Sequence, residues 1–404
     1  MKKNIWIINQ YTGSPYYGMN YRSYYFAKEF IEQGNTVTIF SGSYSHLFVN
    51  FPETKGNYTE EMIDGIKFIW IKTPKYKNSK SLGRVWNMFV FMFRLFFINI
   101  FKYQKPDIII ISSLSLFPVI NAYIWSKLMK INFIFEVRDI WPLTLIEVGG
   151  MSKYHPLVIV LGWFERFGYK KANYVVSALP YAKEHMVSQG MKKNKFISIP
   201  NGIFLKEVEN YDIIPKHIRA LIPTDKFIIG YTGTVGIANA LSYLFEAAKL
   251  LKDNNNIHFV IVGKGGELNY FQQYCIDNNL SNVTFIPAIP KKQIQSILKL
   301  FDVCYLGWYN KDIYKHGISA NKLFDYMYSS TPILHSISTK NDIVKEANCG
   351  ISVEAENNLA IKEAILSLYK LDKDSLDNMG QNGKAYVMEY HNYKTLSNQY
   401  LEIM

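Results

Sequence analysis

The chain has 404 residues, 49% hydrophobic and 19% charged, with a mean hydropathy of −0.05. That is too long for one ordinary core and too apolar for a disordered chain, so two packed domains are expected. The net charge of +12 and pI near 9.2 favour an anionic partner (phosphate groups, anionic lipid or nucleic acid), although a chain rich in Lys and Asn also drifts basic without consequence.

The start, "MKKNIWIINQ", has too short an apolar run for a signal peptide and reads as a first strand. Short runs rich in Ile, Val and Phe then recur as buried parallel strands: "NIWIINQ", "TVTIF", "IKFIWIK", "DIIIISS", "NFIFEVRD", "NYVVSAL" and "FISIPNG". Helical patterns lie between most of them, such as "YRSYYFAKEFIEQG", closed by Gly34. The segment from Val85 to Phe101 is apolar except for Asn87, Arg94 and Asn99. At 1.5 Å per residue it spans about 25 Å, short of a bilayer core, and Arg94 sits at its centre. Two readings stay open. It is an aromatic core helix, or a helix that dips into a lipid surface with Arg84, Arg94, Lys102 and Lys105 in or beside it.

The break falls between Asn201 and Pro223, where the chain is polar and proline-bounded. The expected domains are 1–205 and 206–385, with a final helix of about 386–404 crossing back onto the first. After the break come "KFIIGYTGT", "IHFVIVGKG", "NVTFIPAI", "DVCYLGW", "TPILHSI" and "GISVEA", with helices expected at Ala240–Leu251, Leu268–Asn278, Lys291–Leu300 and Asn321–Tyr328. This is βαβ organisation twice over: an α/β protein of two doubly wound domains. The widely spaced Cys275, Cys304 and Cys349 read as buried reduced thiols of a cytosolic protein.

Doubly wound sheets bind ligands at the carboxyl ends of their strands. In "YTGSPYYGMNYR", Gly13 and Gly18 allow backbone approach and Asn20 can cap the next helix. "EVRDIWP" sets Arg138 beside Asp139, ahead of Trp141 and Pro142. "GYTGTVG" offers exposed N–H groups, and "VGKGGE", "IPAIP" and "GISANKLFDYM" follow. "GKGGEL" has Leu268 where a dinucleotide fingerprint needs glycine, and "GYTGTVG" lacks the Lys-Ser/Thr of a P-loop. No His and carboxylate residues cluster at metal-ligand spacing, and no Ser–His–Asp pattern appears. What the loops share is phosphate chemistry without a metal. Ser319 is placed to cap a helix whose first turn holds Asn321 and Lys322, a favourable place for a diphosphate. Asp325 lies on the same face. It reads either as the acceptor of two ribose hydroxyls or as a buried partner of Lys322.

Taken in order, "GSPYYGMNYRSYYFAKEF", "GNTVTIFSGSYSH", "FEVRDIWP", "IPNGI", "GYTGTVGIANAL", "VGKG" and "GISANKLFDYM…TPIL" resemble the GT-B glycosyltransferases of family four, in the branch that builds bacterial O-antigen and capsule. The resemblance implies two Rossmann-like domains facing a central cleft, the first for the acceptor and the second for a UDP-sugar. It implies donor contacts at Gly13, Gly233, Thr234, Asn239, Gly263, Lys264, Pro287, Ser319, Asn321, Leu323 and Asp325. It gives catalytic places to Lys322, Arg138 and Asp139, the last as much to orient Arg138 as to act as base, and acceptor contacts to Tyr16, Tyr17, Arg22 and Tyr24.

Two departures are visible. Gly317 stands where many relatives have a glutamate, with seven residues separating it from the second acid, here Asp325. "GTVGIANAL" has Asn239 but none of the usual basic pair. The implied reaction retains anomeric configuration and needs no metal or other cofactor. It moves an N-acetylated hexosamine or deoxyhexosamine onto a saccharide on undecaprenyl diphosphate. The enzyme would sit at the inner face of the cytoplasmic membrane, against its anionic surface. A nucleotide-sugar 2-epimerase of the same architecture is the alternative. A nucleic-acid-binding protein is less favoured, because no RRM, KH or OB signature appears.

Overall fold

The computed structural model describes residues 2–18, 21–77 and 81–404. The chain forms two compact units. The first comprises Met1–Asn201, His316–Ile318 and Tyr393–Met404; the second comprises Gly202–Lys315 and Ser319–Asn392. The chain therefore changes unit at Asn201, and only Tyr393–Met404 of the expected return segment lies in the first. The preceding helix Lys373–Tyr390 stays with the second unit. A Cβ on its Gly380 would lie 1.9 Å from the Ser330 carbonyl oxygen, and one on Gly383 would lie 3.0 Å from the Cys349 Cβ, so two bare positions let this helix lie down on its own unit.

The first unit holds an eight-stranded sheet of β1 (Asn4–Ile8), β2 (Thr36–Gly42), β3 (Tyr58–Ile63), β4 (Ile66–Ile71), β5 (Ile108–Ser112), β6 (Asn132–Val137), β7 (Tyr174–Ser177) and β8 (Phe196–Ser198). Their order is β3-β4-β2-β1-β5-β6-β7-β8. β1 and β5 are buried along their whole length, as apolar runs covered on both faces must be. Seven strands were expected from the sequence. The eighth, β3, is a half-exposed edge strand antiparallel to β4, with Ile63 opposite Ile66 across Asp64 and Gly65, both at positive φ. An Asp-Gly pair between strands is a strong hairpin signal. It went unread because "YTEEMI" is mostly polar.

The helix Leu82–Phe97 packs Asn87, Met88, Phe91, Met92 and Leu95 inward. Asn87 is fully buried, accepting from Gln10 Nε2 and donating to the Pro74 carbonyl, both at 2.6 Å. Its outer side carries an aromatic row, Trp86, Phe89, Phe93 and Phe97, with Trp86 58% and Phe97 67% exposed. The helix is thus core on one face and exposed aromatic on the other. The Arg94 guanidinium donates to the Lys72 carbonyl, and Lys102 pairs with Glu60 at 2.7 Å on the surface. No described helix is long and apolar enough to cross a membrane.

The second unit holds six parallel strands: β9 (Phe227–Thr234), β10 (Ile257–Lys264), β11 (Val283–Ile286), β12 (Val303–Gly307), β13 (Ile333–Ser336) and β14 (Gly350–Val353), in the order β11-β10-β9-β12-β13-β14. All six match the expected runs. The helices Leu241–Leu250, Leu268–Asp277 and Asn321–Tyr328 also fall where expected, whereas the fourth splits into a short turn, Lys291–Gln293, and Ile294–Leu298. Apolar cores cover both faces of the sheet.

Candidate active site

Strand order reverses between β9 and β12 in the second unit, and doubly wound sheets bind ligands at the carboxyl ends of such a pair. The loop after β9 and the helix Asn321–Tyr328, which follows β12, both reach this place. Lys322 Nζ donates to the Tyr231 hydroxyl at 2.8 Å and to Asn239 Oδ1 at 2.6 Å, and lies 4.5 Å from the centre of the Tyr231 ring. Tyr231 and Asn239 in turn donate to the Thr234 carbonyl at 2.7 and 2.8 Å. Gly233, at φ +141°, completes the cradle: a Cβ there would stand 3.1 Å from Lys322 Nζ. Lys322 forms no ion pair with any described carboxylate. Burial pushes its ammonium down to about 7. A desolvated cation held only by neutral oxygens attracts an anion.

Asp325, one helical turn on, is buried. Its partner is not Lys322 but Lys291, whose Nζ lies 2.7 Å from both carboxylate oxygens. Desolvation opposes the Lys291 charge, but Asp325 outweighs it and holds that ammonium above its usual range. The side chain of Gln295 donates to the Asp325 main-chain carbonyl at 3.1 Å.

Ser319 does not cap the helix: the N-cap is Ala320, with no side-chain cap bond. Of the first-turn N–H groups, that of Leu323 bonds the Ala320 carbonyl at 3.2 Å. Asn321 is exposed in that turn, whereas Leu323 is 2% exposed and belongs to the core. Gly263, next to last in β10 at φ +155°, must be bare, because a Cβ would lie 1.9 Å from the Gly233 carbonyl oxygen. Lys264 and Pro287 are exposed at the ends of β10 and β11. The loop after β12 is anchored at its first residue. Trp308 Nε1 donates to His335 Nε2 at 3.2 Å, leaving His335 Nδ1 to donate to Asp342 at 3.1 Å.

The first unit has its own reversal, between β1 and β5. There the polar residues of the first loop turn inward. Arg22 is 3% exposed. Its Nε meets Glu136 Oε1 at 2.9 Å, while its other nitrogens donate to the Ile199 and Pro200 carbonyls and to Asn201 Oδ1. Ser112 and Tyr400 also donate to Glu136. Burial opposes the Glu136 charge, but the Arg22 guanidinium outweighs it and holds the carboxyl below its usual range. Tyr17 is 6% exposed, with its hydroxyl on Glu61 at 2.9 Å, and the Tyr24 hydroxyl bonds Asp64 at 2.6 Å. These three expected acceptor residues thus bond carboxylates of the protein itself. Tyr16 alone of the four is exposed, at 67%. Gly13 serves its own loop, since a Cβ would lie 2.4 Å from the Gly18 carbonyl oxygen. Asn20, expected to cap, lies outside the described residues. Arg138 is half-buried, with its N–H on Ser113 Oγ at 3.0 Å, and Asp139 is exposed.

Sequence reasoning missed Tyr231 and Lys291. Tyr231 sits inside the quoted glycine loop, two positions before Gly233, where strand alternation points it inward. Lys291 had no local signal, because its partner is 34 positions away.

Comparison with known proteins adds three kinds of match. Residues 16–207 fit the family model "Glycosyltransferase Family 4", and residues 213–386 fit "Glycosyl transferases group 1". A putative colanic acid biosynthesis glycosyl transferase of Escherichia coli K12, WcaI, is 25% identical over 251 residues, 60% of this chain and 61% of that one. The match thus spans about three fifths of the curated relative's length. Among solved structures, sucrose-phosphate synthase from Thermosynechococcus elongatus superposes with TM-score 0.75 at 15% identity, covering 100% of this chain and 98% of that one. HepE of Anabaena, in complex with UDP and glucose, superposes with TM-score 0.65 at 13% identity, covering 99% of each chain.

Proposed function

The chain belongs to the glycosyltransferases of family four, of GT-B fold, and from that premise we propose that it transfers a sugar from a UDP-sugar to a lipid-linked saccharide in the synthesis of a bacterial surface polysaccharide. The observation that carries this reading is Lys322: a desolvated cation without a carboxylate, in the first turn of a helix at the carboxyl end of the sheet. The diphosphate lies against Lys322, the Asn321 turn and the Gly233 loop. Asp325, held by Lys291, accepts the ribose hydroxyls. HepE carries UDP in its solved complex, which supports a uridine donor.

In the reaction the bond from the anomeric carbon to the diphosphate oxygen breaks as the acceptor hydroxyl bonds the same carbon on the same face. Charge grows on the leaving phosphate, where Lys322 and the helix N–H groups stabilise it. That phosphate oxygen then takes the acceptor's proton, so no strong protein base is required, and Arg138 and Asp139 orient rather than abstract. The anomeric configuration is retained. The diphosphate charge is met by the protein's own cation and N–H groups, without a metal. The transferred sugar is an N-acetylated hexosamine or deoxyhexosamine. The acceptor rides on undecaprenyl diphosphate at the inner face of the cytoplasmic membrane, which the aromatic outer face of Leu82–Phe97 enters beside Lys105 and Arg84.

The test is a panel of UDP-sugars with a lipid-linked acceptor, reading free UDP and the glycosylated product, with and without EDTA. UDP release that needs the acceptor and survives EDTA is expected. An isomerised sugar without acceptor would instead establish the epimerase, and loss of activity with EDTA rescued by a divalent ion would contradict the metal-free reaction.

A further inference from the structure

The first unit carries a second charged feature that the transfer reaction does not use. At the amino-terminal end of β6, opposite the end that bears Arg138, lies a hollow of about 320 Å³ lined by Tyr123, Lys127, Lys130, Lys171, Asn132 and Asn173 among others. No described carboxylate lines it, and none of the three lysines forms an ion pair with a described residue. Two of them converge on one ring. Lys127 Nζ lies 5.6 Å and Lys171 Nζ 5.7 Å from the centre of Tyr123.

The ordinary reason for lysines at such a place is to cap helix carbonyls. Here that work is done by other groups. The helix Val119–Met129 closes on its own backbone, with Lys130 in the left-handed region at φ 55° and its N–H on the Lys127 carbonyl. The helix Pro156–Lys171 has its Lys170 and Ala172 carbonyls met by Lys195. Three like charges held around one hollow repel each other unless an anion joins them.

The surroundings say which anion. Tyr123 meets Phe167 edge-on at 5.3 Å, and Phe167 stacks on Trp163 at 5.5 Å. Trp163 is 50% exposed, and Ile159, Val160 and Leu128 are exposed with it. A basic hollow that continues into exposed apolar side chains matches a molecule with a phosphate head and acyl chains: insertion on one side, charge on the other.

We propose that this hollow is a headgroup site for the phosphate of an anionic phospholipid, with Trp163 and its neighbours in the acyl boundary. It rests on the membrane address proposed above but uses a surface separate from Leu82–Phe97. It gives the first unit a second fixed point on the bilayer, so that its orientation there is set and not only its attachment.

The experiment is vesicle binding at low salt, with phosphatidylcholine alone and with phosphatidylglycerol added. It compares the wild type, Lys127→Gln/Lys171→Gln, and the charge-reversed Lys102→Glu/Lys105→Glu. Each lysine near an anionic surface is worth about fivefold, so the pocket variant should bind phosphatidylglycerol vesicles roughly thirtyfold more weakly. Its weak binding to phosphatidylcholine and its activity on a water-soluble acceptor should be unchanged, since these side chains are exposed and far along β6 from Arg138. A pocket variant that binds like the wild type overturns the proposal, while loss in the Lys102/Lys105 variant alone leaves the helix as the only attachment. A wild type that binds neither vesicle overturns the membrane address itself. Inorganic phosphate supplies the last arm. If it binds the wild type and not the pocket variant, while both hold vesicles equally, the hollow takes a soluble anion and the lipid assignment falls.

Discussion

Arg22 and Lys322 occupy matching places in the two units, each in the first turn of a helix beyond the carboxyl end of a parallel strand. Their surroundings differ in one decisive respect. Arg22 has the Glu136 carboxylate at 2.9 Å and three backbone or amide acceptors, and it is sealed from water. Lys322 has a hydroxyl, an amide oxygen and a ring, and no carboxylate. A cation matched inside the protein is a fastening. One matched only by neutral groups keeps its demand for an anion, and that demand is the chemistry a leaving diphosphate requires. Helix position alone does not separate the two roles; the nearest carboxylate does.

The largest effect should come from removing the fastening. Arg22→Met leaves Glu136 buried with Ser112 and Tyr400 as its donors, and breaking such a pair costs about 3–5 kcal/mol. Chemical denaturation should show that loss, with UDP-sugar affinity of the folded protein unchanged. The pH dependence has a fixed sign. Glu136 is held below the usual 4.5, so its contribution is complete above that value and is lost as the pH falls through the lower, folded-state value. A variant of native stability, or one folded but unable to bind donor, would collapse the distinction between the two cations.

Next is the reacting cation. Lys322→Ala should lower kcat by about 10²–10³-fold, the range found when one preorganised donor to a developing oxyanion is removed. Donor binding should weaken less, because the charge matters most as the phosphate departs. Steady-state kinetics with single-turnover checks would read the split, and an unchanged kcat would move the chemistry elsewhere.

The smallest of the three concerns Asp325. Asp325→Asn loses a charge-assisted hydrogen bond, worth about 1.5–3 kcal/mol, or about tenfold to a hundredfold in UDP affinity. Equal UDP binding in a folded Asp325→Asn protein would make the Lys291–Asp325 pair a second fastening, of the Arg22 kind.

The same contrast explains what could be read in the sequence. Fully buried parallel strands are unbroken apolar runs, so the parallel strands of both sheets were visible, as was the helix Asn321–Tyr328. β3 was not, because an edge strand with one wet face reads as polar loop, and only Asp64-Gly65 betrayed it. The resemblance put Arg22, Tyr17 and Tyr24 at the acceptor, and nothing local in the sequence showed the carboxylates they bond. Their partners Glu136, Glu61 and Asp64 lie 114, 44 and 40 positions away. Lys291 beside Asp325 is the same case in the second unit. Long-range charge pairing is set by the fold and leaves no local pattern.

The central claim is that Lys322 meets the donor diphosphate, and proton linkage tests it most directly. Before binding, burial holds this ammonium near 7, so at pH 8 it is mostly neutral. A diphosphate beside it favours the charged form and raises its pKa. Binding above pH 7 must then take up a proton, and affinity should fall by up to about tenfold per pH unit, levelling off below 7. The ligand should be a UDP-sugar, not UDP, whose terminal phosphate titrates near pH 6 and would add its own proton change. Calorimetry at pH 8 in buffers of different ionisation enthalpy is predicted to show about one proton taken up per donor bound by the wild type and about none by Lys322→Gln. No uptake in the wild type, or equal uptake in both proteins, would contradict the account.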